Sequence, residues 1–178
     1  MIYSGAKAQG QGHETTFAQL VAEKLGIETD KIELVEGDTG EVQWGHGTYG
    51  SRSLVVGGSA IMKACDKVIE KATKVAAHLL EASAADIKFE SGTFTVKGTD
   101  KTKSIGEVIM AAYVPHNFPL QEMEPGLDAR SFYDPANFTF PFGCHVCEVE
   151  VDPETGVTTI VNWVAVDDFG TIVNPMIV

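Results

Sequence analysis

Gln9-Gly10-Gln11-Gly12-His13-Glu14-Thr15-Thr16 closes a run of small residues, Ser4-Gly5-Ala6, and leads directly into a helical pattern. Phe17, Leu20, Val21 and Leu25 recur at helical spacing, with Glu14, Gln19 and Glu23 mostly elsewhere on the wheel. Gly10 and Gly12 let the backbone approach a bound group with no Cβ in the way. Thr15 or Thr16 can bring a hydroxyl to the helix start, where several N–H groups lack an intrahelical partner. Unpaired donors, the positive end of the helix dipole and a glycine turn together form an anion cradle. Gln11 and His13 add side-chain donors or acceptors beyond it. A glycine turn ahead of a helix is equally compatible with a plain turn. The stretch has no Gly-Lys-Ser/Thr ending and no third glycine, so it is neither a Walker loop nor a dinucleotide fingerprint.

The same arrangement recurs downstream. Gly26 stands where a helix C-cap belongs. Lys31 to Glu36 alternates polar and apolar as a half-buried strand does, and Gly37-Asp38-Thr39-Gly40 makes a turn. Trp44-Gly45-His46-Gly47-Thr48-Tyr49-Gly50-Ser51-Arg52-Ser53 is a second glycine- and hydroxyl-rich loop running into a helix. That helix is expected from Leu54 to Ala82, about 40 Å at 1.5 Å per residue, with Lys63, Lys67, Lys71 and Lys74 facing out. Gly57 and Gly58 in its first turns cost roughly 1 kcal/mol each unless close packing requires them. Two such helix starts aimed at one place suit a pyrophosphate. Thr48, Tyr49, Ser51 and Ser53 offer hydroxyls, and Arg52 offers a fork matched to phosphate oxygens. The alternative is that Ser51 or Ser53 caps the helix and Arg52 is solvated.

Further along, Asp86–Glu90 and Thr93–Lys97 read as a hairpin turning at Ser91-Gly92. Ser104-Ile105-Gly106-Glu107 has the form of a capping box and starts a short helix to about Tyr113. Residues 115–141 lack periodicity, and Phe118, Leu120, Phe132, Tyr133, Phe138 and Phe140 point to a packed loop. Gly143–Val151 and Val157–Val166 are expected as two long strands, followed by a polar loop from Asp167 to Pro175. Cys144 and Cys147 lie three apart on a strand and so point to opposite faces, which makes a shared metal or disulfide unfavourable. His78 and His116 read as packing or surface residues. Asp167-Asp168 is either a proton-transfer pair or a hydrogen-bonding loop edge.

Composition narrows the partners. A formal charge of −12 over 178 residues argues against nucleic acid and against an anionic membrane surface. Any anion bound here is therefore held by local donors. No apolar run of about 18 residues is present to span a bilayer. The three cysteines are an odd number without a disulfide framework, which favours a reducing compartment and a cytoplasmic location. The start at Met1-Ile2-Tyr3-Ser4 and the apolar end at Pro175-Met176-Ile177-Val178 suggest a piece of something larger.

Gln11-Gly12-His13-Glu14-Thr15-Thr16, Gly47-Thr48-Tyr49-Gly50-Ser51-Arg52-Ser53, Glu124-Pro125-Gly126-Leu127, Tyr133-Asp134-Pro135 and Asp167-Asp168-x-Gly170-Thr171-x-x-Asn174-Pro175 occur in this order. Together they resemble the molybdopterin-binding large subunit of the xanthine dehydrogenase/aldehyde oxidase family, most of all its carbon monoxide dehydrogenase branch. The resemblance implies an α+β fold like the molybdenum cofactor-binding domain, with a mixed sheet, one long helix and two shorter ones. Residues 1–178 would be an internal section of that domain. It further implies molybdopterin cytosine dinucleotide carrying molybdenum. Gln11, Gly12, His13 and Thr15 would form one wall of its site and Thr48, Tyr49, Gly50, Ser51, Arg52 and Ser53 the other. Asp168, Thr171 and Asn174 would contact it near the nucleotide.

The same resemblance implies a partner subunit with FAD, another with iron–sulfur clusters, and a small-molecule substrate. The family's catalytic glutamate lies in a Gly-x-Gly-Glu segment past Val178, and the copper-ligating cysteine of its CO-oxidising members lies before Met1. No residue here is expected to be catalytic or a metal ligand, and the chain alone is expected to be inactive. Phe169 stands where the family pattern leads to a cysteine, so an aldehyde or N-heterocycle substrate remains an alternative to CO. A non-catalytic nucleotide-binding module is the other.

Overall fold

A computed structural model describes residues 1–114, 116 and 118–178. The chain divides into two compact units, Met1–Pro135 with Ile177, and Ala136–Met176 with Val178.

The first unit begins with strand β1 (Ile2–Ser4), helix α1 (His13–Leu25) and strand β2 (Leu34–Glu36). β1 and β2 pair in parallel, Tyr3 opposite Val35. A parallel pair requires a crossover, and α1 supplies it. β2 is shorter than its alternating pattern suggests because Thr29–Lys31 forms a 3-10 turn. α1 starts on Gly12 and ends on Gly26, both left-handed at φ 76° and 64°, and the Gly26 N–H closes on the Ala22 carbonyl. Phe17, Ala18 and Val21 are its buried positions.

The long helix comes in two parts. Ser53–Gly58 is a π-helical turn, and α2 proper spans Ser59–Leu80. The wide turn brings the Ser59 N–H to the Leu54 carbonyl. At Gly57 a Cβ would make only ordinary contact, and at Gly58 it would meet the tip of a flexible side chain. A Cβ on Gly57 would touch the Phe17 ring at 3.5 Å, and one on Gly58 would lie 2.8 Å from Leu54 Cδ1. Phe17 and Leu20 of α1 are the residues that lie against these two positions.

After a 3-10 turn at Ala84–Asp86, strands β3 (Ile87–Glu90), β4 (Thr93–Val96) and β5 (Thr102–Ser104) form an antiparallel sheet, followed by helix α3 (Ile105–Tyr113). Ser91 and Gly92 make the β3–β4 turn with φ of 44° and 75°, the positive pair a tight hairpin needs. β5 is a strand that the sequence reading did not anticipate. Val75, Ala76 and Leu80 of α2, Ile87, Phe94, Val108 and Ala112 form one buried cluster with Phe118 and Leu127.

The capping box at α3 is complete. Glu107 N–H donates to Ser104 Oγ at 3.3 Å, and Ser104 N–H donates to Glu107 Oε2 at 2.9 Å. The hydrogen bond from Lys103, then those from the Ser104 N–H and hydroxyl, pull the Glu107 carboxyl down to about 2. A depressed carboxyl contributes stability that is fully present above the unfolded value near 4.5 and disappears as pH falls towards 2. Ser104→Ala is expected to raise the Glu107 midpoint in a carboxyl NMR titration. It should also lower stability by about 1 kcal/mol in urea melts at neutral pH.

Residues 114–141 carry no helix or strand among those described, as expected, with Pro115 and Asn117 of the expected loop lying outside the described residues. The expectation that its aromatics pack is only partly met. Phe118 is buried, but Leu120, Phe132, Phe138 and Phe140 are exposed.

The second unit is a ribbon of two strands, β6 (Phe142–Val151) and β7 (Thr158–Asp168), antiparallel with an irregularity at Glu148/Val149. Both faces are exposed along its whole length. Among the described residues the strands fall into three small sheets, one parallel and two antiparallel, and there are three α-helices.

Candidate cofactor cradle

β1 and β2 run parallel, and each is followed by a glycine loop that enters a helix. Both loops therefore leave the carboxyl edge of the same strand pair, the edge at which open α/β arrangements place ligands.

The first loop is wound tightly. Gly10 has φ 105° and Gly12 φ 76°, and no side chain caps α1. The Thr16 hydroxyl turns back to the Gly12 carbonyl at 3.0 Å instead of facing out, while Thr15 is exposed. Gln9 N–H donates to Gln11 Oε1 at 2.5 Å, and Gln11 Nε2 lies 2.9 Å from His13 Nε2. His13 is 3% exposed, stacks on Phe17 at 4.7 Å and reaches Glu36 Oε2 through Nδ1 at 3.1 Å. The other Glu36 oxygen accepts from Ala8 N–H at 2.7 Å. Both ring nitrogens of His13 are thus engaged inside the protein.

The second loop is anchored by backbone contact. A Cβ on Gly5 would fall 2.5 Å from the Trp44 carbonyl oxygen, and one on Gly45 would fall 2.6 Å from the Gly5 oxygen. Gly47 N–H donates to that same Gly5 carbonyl at 3.2 Å. Gly47, Gly50 and Ser51 all have positive φ, and a Cβ on Gly10, Gly47 or Gly50 would meet nothing within 4 Å. At those three glycines the main chain is open to an approaching group. Thr48 and Ser53 share a hydroxyl–hydroxyl hydrogen bond of 2.8 Å, and the Arg52 guanidinium sits 5.3 Å from the Tyr49 ring centre. Neither Ser51 nor Ser53 caps the helix. The π-turn that begins at Ser53 belongs to a class found often at functional sites.

A cleft of about 1270 Å³ opens beside this loop, lined by Tyr3–Ala6, Trp44–Gly47, Tyr49, Arg52, Ser53, one face of α2 and 127–133. Its far wall holds a feature that periodicity hid. Three of the lysines expected to be solvated hold this wall: Lys67 Nζ donates to the Arg130 carbonyl at 2.7 Å, Lys71 Nζ to the Asp128 carbonyl, and Lys63 sits over the Tyr133 ring. Arg130 in turn donates to Gln43 Oε1 at 3.2 Å, at the foot of the second loop.

Asp168, Thr171 and Asn174 lie in the second unit. Asp168 Oδ1 accepts from Gly170 N–H at 2.8 Å and Asn174 Oδ1 from Met176 N–H at 2.9 Å. Asp167 and Asp168 do not act as a pair. Asp167 binds His145 Nε2 at 2.9 Å, a contact the sequence reading missed. Cys144 faces Val166 and Cys147 faces Trp163 across the ribbon, both as free thiols. Among the described residues no group of three His, Cys, Asp or Glu is placed to hold a metal, and no helix is long and apolar enough to cross a membrane.

A family profile described as "Molybdopterin cofactor-binding domain" matches residues 1–178. The chain belongs to that family. It is 47% identical over 175 residues to the carbon monoxide dehydrogenase large chain of Hydrogenophaga pseudoflava, covering 98% of this chain and 21% of the relative. Among solved structures it is similar to reconstituted CO dehydrogenase from Oligotropha carboxidovorans, with a TM-score of 0.87 at 44% identity over 98% of this chain and 22% of that one. It is also similar to quinoline 2-oxidoreductase from Pseudomonas putida 86, at 0.84 and 36% identity, covering 98% of this chain and 22% of that one. The chain thus spans about a fifth of the length of these relatives. The open glycine backbones, the hydroxyls of Thr48, Ser51 and Ser53 and the Arg52 guanidinium are groups suited to phosphate oxygens, so the residues fit a molybdopterin cofactor.

Proposed function

We propose that this chain grips the pyranopterin and diphosphate of molybdopterin cytosine dinucleotide, as an internal section of the large subunit of a molybdenum hydroxylase of the carbon monoxide dehydrogenase type. The observation that carries this reading is the open, positive-φ backbone at Gly10, Gly47 and Gly50 on loops leaving one edge of the β1–β2 pair. Gln11, Gly12, His13 and Thr15 form one wall. Thr48, Tyr49, Gly50, Ser51, Arg52 and Ser53 form the other. Amide N–H groups and hydroxyls bind the phosphate oxygens, and Arg52 supplies the compensating charge that a chain of net −12 lacks overall. The molybdenum supplies the oxidation chemistry when bound, and this section's own work is orientation and anion binding. Copper, where the whole enzyme carries it, has its ligand outside this chain. FAD and iron–sulfur clusters on partner subunits take the electrons, and the complex works in the cytoplasm.

Similarity to the quinoline enzyme, with Phe169 where the family pattern leads to a cysteine, favours an N-heterocycle as the competing substrate. Presenting CO and then quinoline to the complete enzyme separates the two.

Arg52→Ala is the direct test of the cradle. Arg52 is exposed and contacts the Tyr49 ring, so the fold should survive. Losing a charge-assisted contact to phosphate of about 1.5–3 kcal/mol should lower cofactor retention roughly 10- to 100-fold. Molybdenum and phosphorus per polypeptide, measured after dialysis, give the result. Unchanged retention would remove Arg52 from the site.

A further inference from the structure

Glu36 sits at the end of β2, is not among the cradle residues, and yet binds the first loop at two points. The polarity of the contacts around it is fixed at both ends by backbone groups that can only donate. At one end Ala8 N–H donates to Glu36 Oε1 at 2.7 Å. At the other, Gln9 N–H donates to Gln11 Oε1 at 2.5 Å. That second contact orients the carboxamide, so it is the Gln11 nitrogen that lies 2.9 Å from His13 Nε2. The Gln11 nitrogen is a donor only, hence His13 Nε2 accepts. The ring proton then resides on Nδ1 and is donated to Glu36 Oε2 at 3.1 Å. His13 is buried and stacked on Phe17, so the ring cannot turn to evade this assignment. One Gln11 N–H is used on His13. The other has no protein partner among the described residues.

We propose that Glu36 is a positioning residue: acting through the Nδ1–H tautomer of His13, it fixes the Gln11 carboxamide with one N–H turned outward to donate to an oxygen acceptor of the bound cofactor. The cofactor clause rests on the function proposed above, whereas the tautomer clause stands on the contacts alone. Orienting groups of this kind typically change ligand affinity 10- to 100-fold when removed.

Glu36→Gln tests it with almost no change of shape. The Ala8 N–H holds the oxygen of the new carboxamide, which forces its NH2 onto His13 Nδ1. His13 should then move its proton to Nε2, and Gln11 should turn over to present its oxygen, giving up the bond from the Gln9 N–H. Two-bond 15N–1H spectra of histidine-labelled protein should show the Nδ1–H form in the wild type and the Nε2–H form in E36Q, with the His13 signal identified by its loss in H13N. A wild-type Nε2–H form or imidazolium overturns the proposal before E36Q is examined. An unchanged tautomer in E36Q overturns it as well.

Cofactor retention supplies the second measurement. E36Q and Q11L should each lower it about tenfold, and the double variant should lower it no further, because both remove one donor. Additive losses would overturn the link through Gln11. If the wild type lacks the cofactor altogether while the tautomers behave as stated, the cofactor reading fails and the Glu36–His13–Gln11 relay stands.

Discussion

Phe94→Ala is expected to lower the stability of the first unit by about 3–5 kcal/mol, the usual cost of emptying a buried aromatic site. Phe94 has 0% exposure on β4, the middle strand of its sheet, and its ring lies 4.6 Å from that of Phe89. Val75 of α2 and Val108 of α3, both fully buried, belong to the same cluster. They project from helices fixed by their own hydrogen bonds, so the cavity cannot collapse by a small shift of one side chain. Against a domain stability of roughly 5–15 kcal/mol, such a loss removes about a fifth or more. Urea denaturation followed by far-UV circular dichroism gives the value from the midpoint shift at constant slope. A change below about 1 kcal/mol would mean that this cluster is not the core of the unit.

The parts of the fold legible in the sequence were those set by neighbours. Gly26 as a left-handed cap, Ser91-Gly92 as a hairpin turn and the Ser104/Glu107 box each depend on residues within a few positions, and each is present. The two glycine loops were legible for the same reason, since positive φ at Gly12, Gly47 and Gly50 is a local requirement. What stayed hidden depends on distant contacts. Glu36 reads as the last residue of an alternating strand, and only the parallel pairing of β2 with β1 brings it beneath Ala8 and His13. Lys67 looks like any solvated helix residue, because helical period says nothing about a carbonyl 63 positions away. The π-turn at Ser53–Gly58 leaves the apolar stripe nearly unchanged, so periodicity runs straight through it. β6 and β7 were read correctly as strands, and neither face of their ribbon is buried.

Gly5→Ala should disable the second loop while leaving the Phe94 cluster in place. The added Cβ would stand 2.5 Å from the Trp44 carbonyl oxygen and 3.0 Å from Gly45 Cα. Both are main-chain atoms, and neither can yield by changing rotamer. The loop has to lift, and the hydrogen bond from Gly47 N–H to the Gly5 carbonyl goes with it. Overpacking of this kind costs about 1–3 kcal/mol where the surroundings resist. Gly47 amide protection in hydrogen exchange should therefore disappear while the amides of β4 stay protected. Cofactor retention should fall by more than tenfold, because Thr48 to Ser53 lose their anchor. Gly106→Ala is the matched control. A Cβ there meets only Ser104 Oγ at 4.0 Å, inside a helix that favours alanine, so stability should hold or rise slightly. If the two substitutions behave alike, close backbone contact at Gly5 is not what holds the loop, and the cradle would have to be built from α1 alone.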